Sequence, residues 1–221
     1  MGYRLAPTFS FCRCEGRFFF LDLEGDRYFC LAPAIESAFG RLIAGRAPAK
    51  PDVPLLDRLI LRGILIPTSD PVRPAPCDTG LPTYQIRPDA LQSTRRRDMA
   101  SAVAELMRAR YNLRHRRLIR ILADLERRKA ALEYPASPQR EALETLAHGF
   151  ARALRMTGSL NQCLALSIAM TRKALASNLR VDLVMGVRAR PFQAHAWVQA
   201  GSFLVSDTLD RVGMFTPIFT L

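Results

Sequence analysis

Three residues in the last third of the chain carry the atoms for acyl chemistry: Cys163 in "NQCLALSIAMTRKALASN", and His195 and Asp207 in "QAHAWVQAGSFLVSD". A thiol attacks a carbonyl as its thiolate. An imidazole beside it takes the thiol proton and later hands it to the leaving amine, while a carboxylate on the far ring nitrogen fixes the tautomer that makes this work. Taken singly, each residue has a plainer reading, because most helical cysteines are structural and most strand histidines are satisfied core residues. The chemistry requires the fold to bring all three together.

The local sequence predicts how. From Cys163 onward the residues have high helical propensity, Arg172 and Lys173 fall in the last turns, and Asn178 closes the helix. A thiol at the first turn feels unpaired backbone N–H groups and the positive end of the helix dipole, both of which stabilise a thiolate. The chain then alternates as a strand over residues 181–189, crosses "RPF", and enters a hairpin around Ala200-Gly201-Ser202. Two registers are open. A two-residue loop pairs Gln199 with Ser202 and turns Asp207 away from His195; a three-residue loop pairs Gln199 with Phe203 and sets Asp207 opposite His195. Trp197 reads either as a wall of the substrate channel or as a core aromatic, and Arg188 and Arg190 either hold an acidic substrate group or are solvated.

The remaining elements must carry this site. Residues 9–14, 17–23 and 27–31 alternate or run apolar between turn residues and predict a three-stranded meander. Helical spacing follows over 33–44 and 53–62, stopped by Gly45 and Gly63, after which "ILIP" is a short extended piece. Residues 67–90 hold six of the fifteen prolines and read as a linker. Beyond it the pattern is helical, with a break expected near Tyr111-Asn112 and a further helix capped by Ser137 with Pro138 in its first turn. The expected class is α+β: a small winged-helix-like N-terminal domain over 1–66 and a C-terminal domain over 91–221 made of a helical part and an antiparallel sheet.

Bulk properties narrow the alternatives. The composition is 49% hydrophobic and 24% charged, as in ordinary globular proteins, and no uncharged apolar run of membrane-spanning length occurs. The N-terminus lacks the pattern of a secretory signal, so a cytoplasmic protein without a membrane partner is expected. Five cysteines without a C-x-x-C pair argue against a disulfide framework and a zinc ribbon, and no metal or cofactor is expected. The formal charge of +12 is concentrated between Arg95 and Lys129, with twelve Lys/Arg against four Asp/Glu. That field favours an anionic partner, although a solvated helix face is the commoner cause. A nucleic-acid-binding winged-helix protein without catalysis is the contrasting, less favoured reading.

The order "NQCLALSIAM … LVMGVRARPFQAHAWVQAGSFLVSD" resembles the transglutaminase-like peptidases of lasso peptide biosynthesis, the B proteins, in its helix-opening Cys-Leu, its strand ending in G-V-R, its A-H-A-W-V block and its distal Asp. The stretch from Tyr3 to Gly45 is similar to the leader-binding domain, or RiPP recognition element, of peptide-modifying systems. The resemblance implies a cysteine peptidase with Cys163 as nucleophile, His195 as base and acid, and Asp207 as the orienting carboxylate. Its reaction would be hydrolysis of a lasso precursor between leader and core, ahead of ring closure by a separate asparagine-synthetase-like cyclase. Gln162 resembles the Gln-Cys pair of transglutaminases and is a candidate oxyanion donor beside the Cys163 N–H. The leader is expected as an added strand beside residues 26–31, bordered by the helix at 53–62, with Tyr28, Cys30, Leu55, Arg58 and Leu59 as candidate contacts. A transglutaminase-type acyl transfer on the same trio is the alternative reaction.

Overall fold

A computed structural model describes residues 2–87, 96–132, 140–157 and 162–221. The chain opens with strand β1 (Gly2–Leu5) and then makes the expected meander of β2 (Phe9–Cys14), β3 (Arg17–Asp22) and β4 (Arg27–Cys30). Glu15 and Gly16, at φ 48 and 82, make the two-residue turn between β2 and β3, where two left-handed residues match the twist of the paired strands. Helices α1 (Pro33–Ile43) and α2 (Val53–Leu61) follow, and Gly45 and Gly63 come shortly after their ends at φ 82 and 67.

The meander has two apolar faces. Phe11, Phe20 and Phe29 lie level on one face, their rings stacked at 5.4 and 5.3 Å, and Phe39 of α1 closes on them. With Leu56 and Leu59 of α2 they form the core of the N-terminal part. Cys12, Cys14, Phe19 and Leu21 point the other way, into the core of the C-terminal part. β1 pairs antiparallel with β5 (Leu65–Thr68), a two-stranded sheet that the sequence reading leaves out because residues 2–5 show no alternation.

The proline-rich stretch read as a linker is, in its described part, bonded along its length. The Tyr3 N–H donates to the Val72 carbonyl at 2.9 Å, and the Cys77 N–H donates to the Phe11 carbonyl at 2.8 Å. Tyr84 and Gln85 form β6 in the larger sheet. The helices are α3 (Arg96–His115), α4 (Leu118–Ala130), α5 (Arg140–Thr157) and α6 (Cys163–Ala176). The break expected near Tyr111-Asn112 falls instead at Arg116-Arg117, because Ala109 and Leu113 continue the packed face of α3 through it. Ser137 and Pro138 lie outside the described residues.

β7 (Asp182–Arg188), β8 (Gln193–Ala200), β9 (Phe203–Leu204), the short helix α7 (Leu209–Val212) and β10 (Thr216–Thr220) complete the chain. Their sheet has the order β10-β7-β8-β9-β6 and is antiparallel except for the β6–β9 pair. The fold is α+β. Helix α6 packs between α3 and β8 and is buried over most of its length (Ala165, Ser167, Ile168, Ala169, Met170, Thr171), which suits a helix with apolar residues on nearly every side. The Ser10 hydroxyl donates to the Ile218 carbonyl of β10, and Phe192 stacks on Phe19 at 5.9 Å, so the N-terminal meander and the C-terminal sheet are held against one another.

Candidate active site

Cys163 is the first residue of α6. Gln162 before it is non-helical (φ −120, ψ 52) and offers no side-chain cap, so the N–H groups of the first turn remain available around the sulfur. His195 comes from β8, opposite Gly186 of β7, and is only 4% exposed. Glycine is required at 186 because a Cβ there would sit 2.8 Å from the Trp197 ring. Trp197 itself is fully buried with Val184, Leu204, Val212 and Phe215, which makes it core rather than channel wall. Its indole N–H donates to Gln199, and Gln199 donates to the Gly80 carbonyl, each at 2.9 Å.

The hairpin adopts neither anticipated register. Gln199 pairs with Leu204 and Ala200 with Phe203, leaving a two-residue loop of Gly201 and Ser202 with Gly201 at φ 57. Carried further, this register would set His195 level with Thr208 and turn Asp207 to the opposite face. The ladder stops first. After the Val205 N–H bonds to Val198, the Ser206 hydroxyl accepts the next N–H, that of Val198, at 2.8 Å, and the chain bends. The bend brings the Asp207 carboxylate to 2.6 Å from His195 Nε2. With Nε2 held there, Nδ1 is the nitrogen left to meet the Cys163 thiol, which shares a hydrogen bond with the ring.

Electrostatics follow from these contacts. Burial pushes the Cys163 thiol up, but the hydrogen bond from His195 and the N–H groups of Ala196 and Leu164 outweigh it, and the thiol lies below its usual range. Burial pushes His195 down; the bonds to Asp207 and Cys163 reverse this and raise it to about 9. Burial raises Asp207, whereas His195 and the Thr208 N–H lower it further, so it stays a carboxylate below the usual range. All three directions favour a thiolate–imidazolium pair backed by a carboxylate.

Two grooves meet at Gln162 and Cys163. One, of about 700 Å³, runs along the last turns of α3; the other, of about 500 Å³, passes over His195 and Asp207 toward Met214 and Phe215. A separate cavity of about 380 Å³ between α3, α5 and α6 touches none of the three residues. Among the described residues no cluster of three or more His, Cys, Asp or Glu could hold a metal ion, and no helix is long and apolar enough to cross a membrane.

The other anticipated residues lie as follows. Gln162 is exposed on the rim shared by both grooves. Arg188 donates to Gln193 at 2.9 Å, and Arg190 pairs with Glu15 at 3.5 Å. β4 is the outermost strand of its sheet. Its Tyr28 and Cys30 project half-buried toward the C-terminal part, with the Tyr28 ring 5.7 Å from Phe192. Burial raises the Tyr28 hydroxyl to about 12, with Asp26 and Cys163 adding to the shift. Leu55 is half-buried and Arg58 exposed on α2, but Leu59 is wholly enclosed in the aromatic core and presents no surface to a peptide. Three contributors have no sequence signal: the Ala196 N–H on the sulfur, the Ser206 hydroxyl that ends the ladder, and the Phe215 ring 5.0 Å from His195.

A cysteine at the head of a buried helix, a histidine on the sheet packed against it and an aspartate just past the last paired strand residues bring a thiol, an imidazole and a carboxylate together on an α+β fold. Residues 88–220 match the transglutaminase-like superfamily model, and the chain belongs to that superfamily, which generally comprises cysteine-dependent enzymes. The chain is also similar to the microcin J25-processing protein McjB of Escherichia coli, 38% identical over 47 residues. That match covers 21% of this chain and 23% of the relative's length. No solved structure matches the chain.

Proposed function

We propose that the protein is a lasso-peptide leader peptidase that cuts the precursor between leader and core by Cys163–His195–Asp207 catalysis. The observation that carries this reading is the 2.6 Å bond from Asp207 to His195 Nε2, which leaves the opposite ring nitrogen for a thiol lying where two grooves meet. The partial likeness to the microcin J25-processing protein supports the substrate class.

In this mechanism the Cys163 thiolate attacks the scissile carbonyl, and the developing oxyanion takes hydrogen bonds from the Cys163 N–H and the Gln162 side chain. The His195 imidazolium gives its proton to the departing nitrogen, releasing the core with a free amine. Water, deprotonated by His195, then hydrolyses the thioester and frees the leader. Residues 1–66 capture the leader along the open edge of β4, near Tyr28, Cys30, Leu55 and Arg58; residues 67–90 connect them to the peptidase part, 91–221. The freed core passes to an asparagine-synthetase-like cyclase.

The test is incubation with a lasso precursor, read by mass spectrometry. The wild type is expected to release leader carrying the mass of one added water. Cys163→Ala is expected to release none while binding the leader unchanged. Cleavage retained in Cys163→Ala removes the nucleophile, and a leader product joined to an added amine in place of water identifies acyl transfer as the reaction.

A further inference from the structure

The two grooves at Cys163 are chemically unlike, and the reaction proposed above assigns each a half of the substrate. The group that protonates the leaving nitrogen must lie on the amine side of the scissile bond, so the groove over His195 takes the amine half. The groove along α3 then takes the acyl half, the residues just before the cut. Its floor is apolar, with Leu113, Leu164 and Ala165, and its wall is basic: Arg110 and Arg114 lie one helical turn apart, and His115 lies beside the Tyr111 ring at 4.4 Å. Among the described residues none that line it is acidic.

Four nearby arginines are engaged elsewhere. Arg116 and Arg127 both bond to Asp124, Arg117 pairs with Glu24 at 3.8 Å, and Arg172 pairs with Glu105 at 2.8 Å. Arg114, by contrast, is exposed on the groove with no carboxylate in ion-pair range among the described residues. A guanidinium on an apolar floor is suited to a side chain that ends in a carboxylate, through paired N–H···O bonds.

Resting on the peptidase reading, we propose that the α3 groove is the acyl-side subsite and that Arg114, with His115 beside it, selects a peptide bearing an acidic side chain within the last few residues before the cut. The positive charge on the last turn of α3 thus has a local use, in choosing a peptide.

The test uses acetylated tripeptide chloromethyl ketones, in which the Cys163 sulfur displaces chloride to form a thioether, so that only an acyl half is presented. The second or third residue before the ketone is Glu, Gln or Lys, the others alanine, and labelling of the full-length protein is followed by intact mass and peptide mapping. Wild type should react in the order Glu, Gln, Lys, with roughly tenfold between the ends, since attraction and repulsion at a solvent-accessible pair each contribute a few-fold. The spread should shrink with added salt. Arg114→Glu should reverse the order, whereas Arg120→Glu, an equal charge change on an exposed α4 residue outside both grooves, should keep it. Equal rates for all three reagents, or an order that Arg114→Glu leaves untouched, overturn the subsite alone. A Cys163 that none of them labels overturns the nucleophile, and the subsite with it.

Discussion

Replacing Asp207 by asparagine is the most direct probe of the electrostatics, because the side chain keeps its shape and loses its charge. His195 is raised from 6.5 to about 9 against the pull of burial, by Asp207 and by Cys163. At about 1.4 kcal/mol per pKa unit this is roughly 3 kcal/mol favouring imidazolium, and assigning Asp207 about half gives a downward move of about one unit in the variant. The same loss raises the Cys163 pKa, because thiolate and imidazolium stabilise one another. The pH profile of kcat/KM on a precursor peptide should therefore narrow from both sides, its alkaline limb falling from near 9 toward 8, with kcat reduced about tenfold at the optimum. Alkylation of Cys163 by iodoacetamide, followed by mass, should show the acid limb moving up. The consequence for stability has a fixed sign. A raised histidine contributes in full below about pH 6.5 and loses its contribution as pH rises through about 9, while a lowered aspartate contributes above its usual range and loses this on acidification. The difference in Tm between wild type and Asp207→Asn should accordingly be largest from about pH 4 to 6.5 and shrink as pH rises through about 9, leaving only what the Thr208 N–H and Arg211 give the carboxylate. An alkaline limb that stays in place, or a Tm difference that grows above pH 9, would refute the assignment of the His195 shift to Asp207.

Two further outcomes test the framework around the site. Gly186→Ala forces a Cβ to 2.8 Å from Trp197 and 3.0 Å from Phe215 Cβ, directly opposite His195, and should cost about 1–3 kcal/mol as overpacking, read as a lower denaturant midpoint at constant m-value. Phe192→Ala removes ring contacts to both Phe19 and Tyr28 and should lower stability by about 1 kcal/mol or somewhat more; a double-mutant cycle with Phe19→Ala should recover a favourable coupling, and zero coupling would remove Phe192 from the join between the two parts.

How much of this was legible depends on whether the deciding interaction was local. The meander, α1, α2 and α6 are marked by turn glycines, alternation and helical spacing, and the structure has them within a residue or two. The β1–β5 pair was not legible because residues 2–5 lack alternation and their partner is some sixty positions away. β6 hides among prolines, held by the main-chain groups of β9 rather than by any side-chain pattern. α3 runs through Tyr111-Asn112, where weak helix formers are overridden by burial of their neighbours. The site residues were nameable from type, order and resemblance, yet the register behind them was not. Glycine at 201 suits a two-residue loop as well as a three-residue one, and the choice is undone two residues past the end of β9, where Ser206 takes the place of a ladder carbonyl.

That last detail bears on how the site is built. Strict cross-strand pairing would have made the histidine–aspartate contact a property of the hairpin alone, and any one-residue slip would have destroyed it. Here β9 is only two residues long and is flanked on its other side by β6, which arrives from the stretch just past the N-terminal part. The point at which the chain leaves the ladder is thus fixed by tertiary contacts: Ile86 bonds to the Leu204 carbonyl, Gln199 to the Gly80 carbonyl, and the Leu209 N–H to Gln85. Asp207 is aimed by the segment that joins the two halves of the molecule. The meander's second face, with Cys12, Cys14, Phe19 and Leu21 packed into the same core as α6 and β7, ties the strand edge at β4 and the thiol at the head of α6 to one rigid framework. On the proposed function, peptide capture at that edge and cleavage at Cys163 would share a fixed spacing, and the position of the cut would be measured from where the leader is held.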